Sequence, residues 1–141
     1  MNIHIGDNNE YLELGDIVTE GEGRGYTPTD SDFLLATIKL QLTGINTNIR
    51  ATFMKGELNQ FLTDLQKLYD TLKYEFVLSN LEDNIEVSFS PTPNGQIELK
   101  GCLRTQDYKS SVNFELTTDQ TFIPKVINQL RSTLEQLENT V

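Results

Sequence analysis

GELNQFLTDLQKLYDTL, residues 56 to 72, is the stretch on which the fold turns. Leu58, Phe61, Leu62, Leu65, Leu68, Tyr69 and Leu72 recur at steps of three and four, so a 3.6-residue period lines them up on one side. Asn59, Gln60, Asp64, Gln66, Lys67 and Asp70 fall on the other side and suit water. The spacing predicts an amphipathic helix with one apolar stripe. Such a stripe needs a surface to cover, and the flanking segments supply one.

Upstream, residues 33 to 43 alternate, with Leu34, Ala36, Ile38, Leu40 and Leu42 on one face. After Thr43-Gly44 the alternation resumes, with Ile45, Thr47, Ile49, Ala51 and Phe53 inward. Two such runs joined by so short a break predict a β-hairpin with one buried and one wet face. Nearer the start, Asn2 to Ile5 and Tyr11 to Leu14 alternate more weakly around Asp7-Asn8-Asn9, which reads as a short hairpin, extended toward Val18.

Downstream, a strand is expected through Tyr74 to Leu78. Ile85, Val87 and Phe89 form the next, and PTPNG at residues 91 to 95 carries the strongest hairpin pair in the chain, Asn94-Gly95. Ile97, Leu99, Gly101 and Leu103 then alternate with Glu98, Lys100, Cys102 and Arg104, and Val112, Phe114 and Leu116 make the last strand. Thr118 and Asp119 can cap a second helix, with Pro124 tolerable in its first turn. Its apolar face would be Phe122, Ile123, Val126, Ile127, Leu130, Leu134 and Leu137. The expectation is an α+β protein, a single antiparallel β-sheet of about six to eight strands in a meander. Two amphipathic helices would pack on one of its faces, in the order ββ-ββ-α-ββββ-α. No internal repeat stands out, and 141 residues suit one domain over 1–141.

TEGEGRGYTPTDSD, residues 19 to 32, interrupts this pattern. Its glycines, proline and short polar residues predict a mobile acidic loop, longer than the roughly 4 to 6 residues of most connections. Charge is concentrated at this end of the chain. Residues 1 to 32 hold Asp7, Glu10, Glu13, Asp16, Glu20, Glu22, Asp30 and Asp32 against Arg24 alone, a balance of −7 within a total of −10. That sign argues against nucleic acid or an anionic membrane as partner and favours a basic protein. No apolar run approaches the roughly 18 residues of a membrane span, and the N-terminus lacks the pattern of a signal peptide, so a cytoplasmic protein is expected.

Chemistry finds few candidates. The one cysteine, Cys102, lies mid-strand, and His4 is the only histidine, so a zinc site built on these types is short of ligands. GEGRG at residues 21 to 25 is not a phosphate-binding pattern, and no helix start follows it. Asp30-Ser31-Asp32 begins like a calcium loop but lacks its later ligands, central glycine and closing glutamate. Nothing assembles a nucleophile with a base. The expectation is a non-catalytic protein without cofactor or metal. Glu20, Glu22, Asp30 and Asp32 are the candidate partner-binding residues, on a loop that should run over the surface. Lys39, Arg50, Lys100 and Arg104, alternating with Gln41, Asn48, Glu98 and Glu115, read as a solvated outer sheet face with cross-strand charge pairs, and less readily as a docking surface.

From residue 55 onward the order of motifs resembles the WapI-like immunity protein family, small bacterial proteins related to the immunity protein of the wall-associated WapA toxin. The helix pattern is carried by Leu58, Phe61, Leu65, Leu68 and Tyr69. The strand patterns are carried by Glu82, Asn84, Glu86 and Phe89, and by Gly95, Ile97 and Gly101. Phe114, Glu115, Asp119, Gln120, Thr121, Phe122 and Pro124 close the match. The tryptophan usual before the first long strand of that family is replaced here by Asp32-Phe33. The resemblance implies a cytoplasmic immunity protein that binds and neutralises a cognate toxin domain, which is basic if it is a nuclease. The motif residues look structural, with Gly95 and Gly101 in turn and packing roles and Asp119 as a cap. A small structural or regulatory interaction domain unrelated to toxins is the alternative.

Overall fold

Residues 2–19 and 33–138 are described by the computed structural model. Residues 19 to 32, read above as a mobile loop, lie outside them except for Thr19. The elements are β1 (Ile3–Gly6), β2 (Tyr11–Thr19), β3 (Phe33–Leu42), β4 (Ile45–Met54), α1 (Lys55–Thr71), β5 (Phe76–Ser79), β6 (Ile85–Pro91), β7 (Gln96–Arg104), β8 (Ser111–Asp119), a 3₁₀ turn (Gln120–Phe122) and α2 (Ile123–Glu138). The element order is the one the hydrophobic periods predict.

The arrangement of the strands is not. They form two antiparallel sheets, β1-β2-β3-β4 and β5-β6-β7-β8, where a single sheet was expected. The reason lies at α1. β4 pairs with β3 as far as Met54, and the chain enters the helix at the next residue. On the far side β5 finds its partner in β6, so no ladder crosses the helix. Four strands and a helix thus occur twice in succession, a repeat of architecture that leaves no repeat of sequence. Period-2 alternation says that a strand has one buried face, but two sheets facing a common core satisfy it as well as one sheet does.

That core is one cluster. It joins Leu12, Ile38 and Phe53 of the first sheet, Val87, Phe89 and Leu99 of the second, and Leu58, Phe61, Leu65, Leu130 and Leu134 of the helices. Phe61 lies 5.6 Å from Phe89, which stacks on Phe76 at 4.7 Å, so α1 seats an aromatic knob on the second sheet. α1 buries Leu58, Phe61, Leu65 and Leu68, whereas Tyr69 is 46 % and Leu72 39 % exposed. Leu72 instead ends the helix in the left-handed region, its N–H bonded to the Leu68 carbonyl at 2.7 Å. Asp64 is buried despite its place on the polar side, held by the Tyr74 hydroxyl at 2.8 Å and the Gln60 amide at 3.1 Å. α2 is joined to its neighbours at its middle and at its C-terminal end. The Gln129 amide oxygen accepts from the His4 N–H of β1 at 2.9 Å, and Glu138 meets the buried Lys55 ammonium at 2.8 Å. Asp119 caps the turn into α2, accepting from the Thr121 N–H at 2.9 Å as its sequence position implies.

One buried group is unmatched. Thr118 Oγ1 has no hydrogen-bond partner among the described residues, and the residue borders an apolar cavity of about 20 Å³ together with Leu65 and Phe89. A water there would find too few polar partners to hold it. Thr118→Val keeps the branched shape that suits a strand and removes an unsatisfied hydroxyl. It is expected to stabilise the protein by about 1 kcal/mol, seen as a rise in melting temperature of roughly 3 °C. A fall in melting temperature would mean that the hydroxyl is bonded after all.

Candidate functional site

The residues read as partner-binding, Glu20, Glu22, Asp30 and Asp32, lie outside the described residues, but the strand ends that hold their segment are placed. Thr19 pairs with Leu34 and Phe33 with Met54. The Met54 N–H donates to Glu57 at 2.7 Å, and the same carboxyl also receives the backbone N–H of Leu81. Burial pushes the Glu57 carboxyl above its ordinary pKa, and those two N–H groups oppose the shift. The strand ends at Thr19 and Phe33 therefore lie on the side of the fold that carries the turn between β5 and β6.

That turn is built on asparagines. Asn80 and Asn84 are both buried, Asn84 completely. Asn80 donates to the Thr52 carbonyl at 3.0 Å and accepts from the Asn84 and Ile85 N–H groups at 2.7 and 3.2 Å. Asn84 donates to the Arg104 and Thr105 carbonyls at 3.2 and 3.3 Å. The pair thus ties β4, the β5–β6 turn and the β7–β8 turn into one block, with the side-chain bonding capacity largely used. Above it, Tyr108 donates its hydroxyl to the Glu82 carbonyl, and Arg104 grips Asp83 through both its carboxylate, at 3.2 Å, and its carbonyl, at 3.3 Å. Leu81, Tyr108 and, on the outer side of β5, Val77 remain exposed at 67 %, 58 % and 52 %.

Next to this block the outer face of the second sheet forms an open basin of about 670 Å³, with Ser88, Lys100, Cys102 and Arg104 among its lining. Lys100 pairs across the ladder with Glu115 at 3.2 Å, and that hydrogen bond raises the ammonium pKa. Both groups are well exposed, so solvent screens the pair. The outer-face reading with cross-strand charge pairs holds here, with one correction. Lys39 and Arg50 belong to the first sheet and Lys100 and Arg104 to the second, so the four cations do not share a surface. Cys102 is half-buried, its Sγ 3.9 Å from the Leu103 carbonyl, and the chain's one histidine, His4, bonds Glu13 on the other sheet at 2.9 Å. The side chains that converge are apolar tips and fixed charges. The sequence hid them because a lone Leu81 in LEDN and a lone Tyr108 in QDYKSS carry no period.

A family model described as "Immunity protein WapI-like family" matches residues 3–138. No curated protein matches. Among solved structures, the chain is similar to MRP1/MRP2 of "trypanosoma bruciei" at 10 % identity and a TM-score of 0.51, covering 96 % of this chain and 83 % of that one. It is also similar to WHY3 from Arabidopsis thaliana at 11 % identity and a TM-score of 0.50, covering 97 % and 88 %. At such identities the two likenesses speak to the fold alone.

Proposed function

The chain belongs to the WapI-like immunity protein family, and from that premise we propose that it binds and neutralises a cognate toxin domain in the cytoplasm of the cell that makes both. The observation that carries this reading is the family match across residues 3–138. The net charge of −10 supports a basic partner, since electrostatic complementarity favours encounter between opposite signs. The inhibitor acts by occupying a surface and carries out no turnover of its own. The test begins with whether the neighbouring upstream gene encodes a large secreted protein with a variable C-terminal domain, and then measures complex formation with that domain. A stoichiometric complex and rescue of cells expressing that domain are expected. Neither would be seen if the chain served an unrelated structural role.

In this reading Glu20, Glu22, Asp30 and Asp32 steer the partner rather than clamp it. Changing all four to lysine is expected to slow association by roughly tenfold at low salt and to leave dissociation nearly unchanged. The effect should fade toward 1 M salt, where the screening length is about 3 Å. Stability should move by less than about half a kcal/mol if these side chains are exposed. An unchanged on-rate at low salt, with the fold intact, would leave this segment as a spacer.

A further inference from the structure

We propose that the paired β5–β6 and β7–β8 turns, with Leu81 and Tyr108 at their tips and Val77 alongside, form the docking face for a basic protein domain. This deepens the reading above and rests on it. The argument begins with exposure. Leu81 and Tyr108 are the two most exposed large apolar side chains among the described residues, and the Tyr108 hydroxyl bonds the backbone carbonyl of Glu82, the residue that follows Leu81. Val77 points outward from the same strand that leads into Leu81. Scattered single apolar residues mean little, whereas a cluster of them rimmed by charge marks an interaction site.

The second observation is rigidity. Turn tips are ordinarily adaptable, yet this pair stands on the buried Asn80–Asn84 network. Asp83 and Tyr108 are held at φ 61° and 60°, in the left-handed region where glycine or asparagine would sit at lower cost. Backbone strain of this kind persists only where the surroundings enforce it, and it clusters at recognition sites. A tyrosine fixed in advance loses little freedom on binding, which is what gives aromatic anchors their share of interface energy.

The third observation selects the occupant. Glu82, Asp83, Glu86 and Asp107 are exposed around the apolar tips, against Arg104, which is engaged by Asp83, and Lys109. The rim is acidic in excess. A second copy of this chain related by a two-fold axis would set that rim against itself, a like-charge juxtaposition that costs affinity. A domain presenting an apolar hollow within a basic surface meets both features.

The experiment measures binding kinetics with the C-terminal domain encoded by the neighbouring upstream gene, where that gene specifies a large secreted protein. Leu81→Arg is expected to weaken binding by more than about 100-fold, and Tyr108→Ala by about 10- to 100-fold, chiefly through faster dissociation. Asn46→Arg, on an exposed position of the first sheet, should bind like the parent. Thermal melts report whether each variant is folded. Leu81→Arg alters only an exposed side chain, so it remains informative if Tyr108→Ala does not fold. Undiminished binding by folded Leu81→Arg overturns the proposal while the toxin-binding reading stands. Failure of the parent chain to bind that domain overturns both. A concentration-dependent dimer that Leu81→Arg abolishes would assign the face to a second copy and overturn the proposal as well.

Discussion

Leu65→Ala is expected to cost about 2–5 kcal/mol, in the upper half of that range. Leu65 sits at the middle of the α1 stripe, 2 % exposed, where the helix meets both the second sheet and α2. The loss has two parts. Removing the isobutyl group forfeits the transfer energy of a buried leucine, and the space left behind adds about 24 cal/mol per Å³. Leu65 already borders the cavity of about 20 Å³ beneath Thr118, so the new void merges with an existing one and cannot be closed by a small shift of one neighbour. Denaturant unfolding should show a lower midpoint at an unchanged slope. Tyr69→Ala is the matched control. Tyr69 falls on the same stripe by spacing but is 46 % exposed, and its truncation should cost well under half as much. Equal losses at the two positions, or a loss at Leu65 below about half a kcal/mol, would mean that α1 does not pack as described.

The contrast between Leu65 and Tyr69 shows what periodicity can and cannot supply. A 3.6-residue period locates the buried side of α1, and Leu58, Phe61, Leu65 and Leu68 obey it. It does not give the width of that side, which depends on how far the neighbouring sheet curves around the helix. Hence Tyr69 and Leu72 fall outside the contact. In the other direction, Asp64 is drawn inside by a tyrosine ten residues further along the chain, a partner that no local pattern announces. The hairpins were legible because their signals are local. Asn94-Gly95 closes β6 on β7 with Gly95 at φ 79°, the left-handed conformation that this pair favours. The division into two sheets was not legible, because it is fixed by which strand edges stay unpaired across α1. The candidate site divides in the same way. Its acids stand out in composition. Its apolar tips and the asparagines beneath them read only as a polar turn, since Asn80 and Asn84 serve carbonyls twenty or more residues away in either direction.

Gly101→Val supplies a test of opposite sign to intrinsic preference. Valine is among the best strand residues and glycine among the poorest, so in a position free of contacts the change would stabilise the sheet by up to about 1 kcal/mol. Gly101 is not such a position. It lies on the inward side of β7 between Leu99 and Leu103, paired with Val87 on one side and Phe114 on the other. A Cβ built there would stand 2.7 Å from the Val87 Cα, 2.9 Å from its Cγ2, and in overlap with the Glu86 carbonyl oxygen. Two of those contacts are backbone, so no change of rotamer relieves them, and β6 must move away from β7. The ladder between these strands holds Glu86 opposite Cys102 and Ile85 opposite Leu103, one step from the Asn84 network and from Arg104. Displacement at Gly101 is therefore transmitted to the block that carries Leu81 and Tyr108. Overpacking of this kind costs about 1–3 kcal/mol for a single extra group, and for three added carbons against backbone the loss should exceed about 3 kcal/mol. At roughly 3 °C per kcal/mol, the melting temperature should fall by about 10 °C. Gly101→Ala should lie between the two, because even one carbon meets the Glu86 carbonyl. Close approach of two strands is thus the physical content of the second glycine in the family's strand pattern. A valine variant as stable as the parent would show β6 and β7 at ordinary spacing and leave that glycine without a packing role.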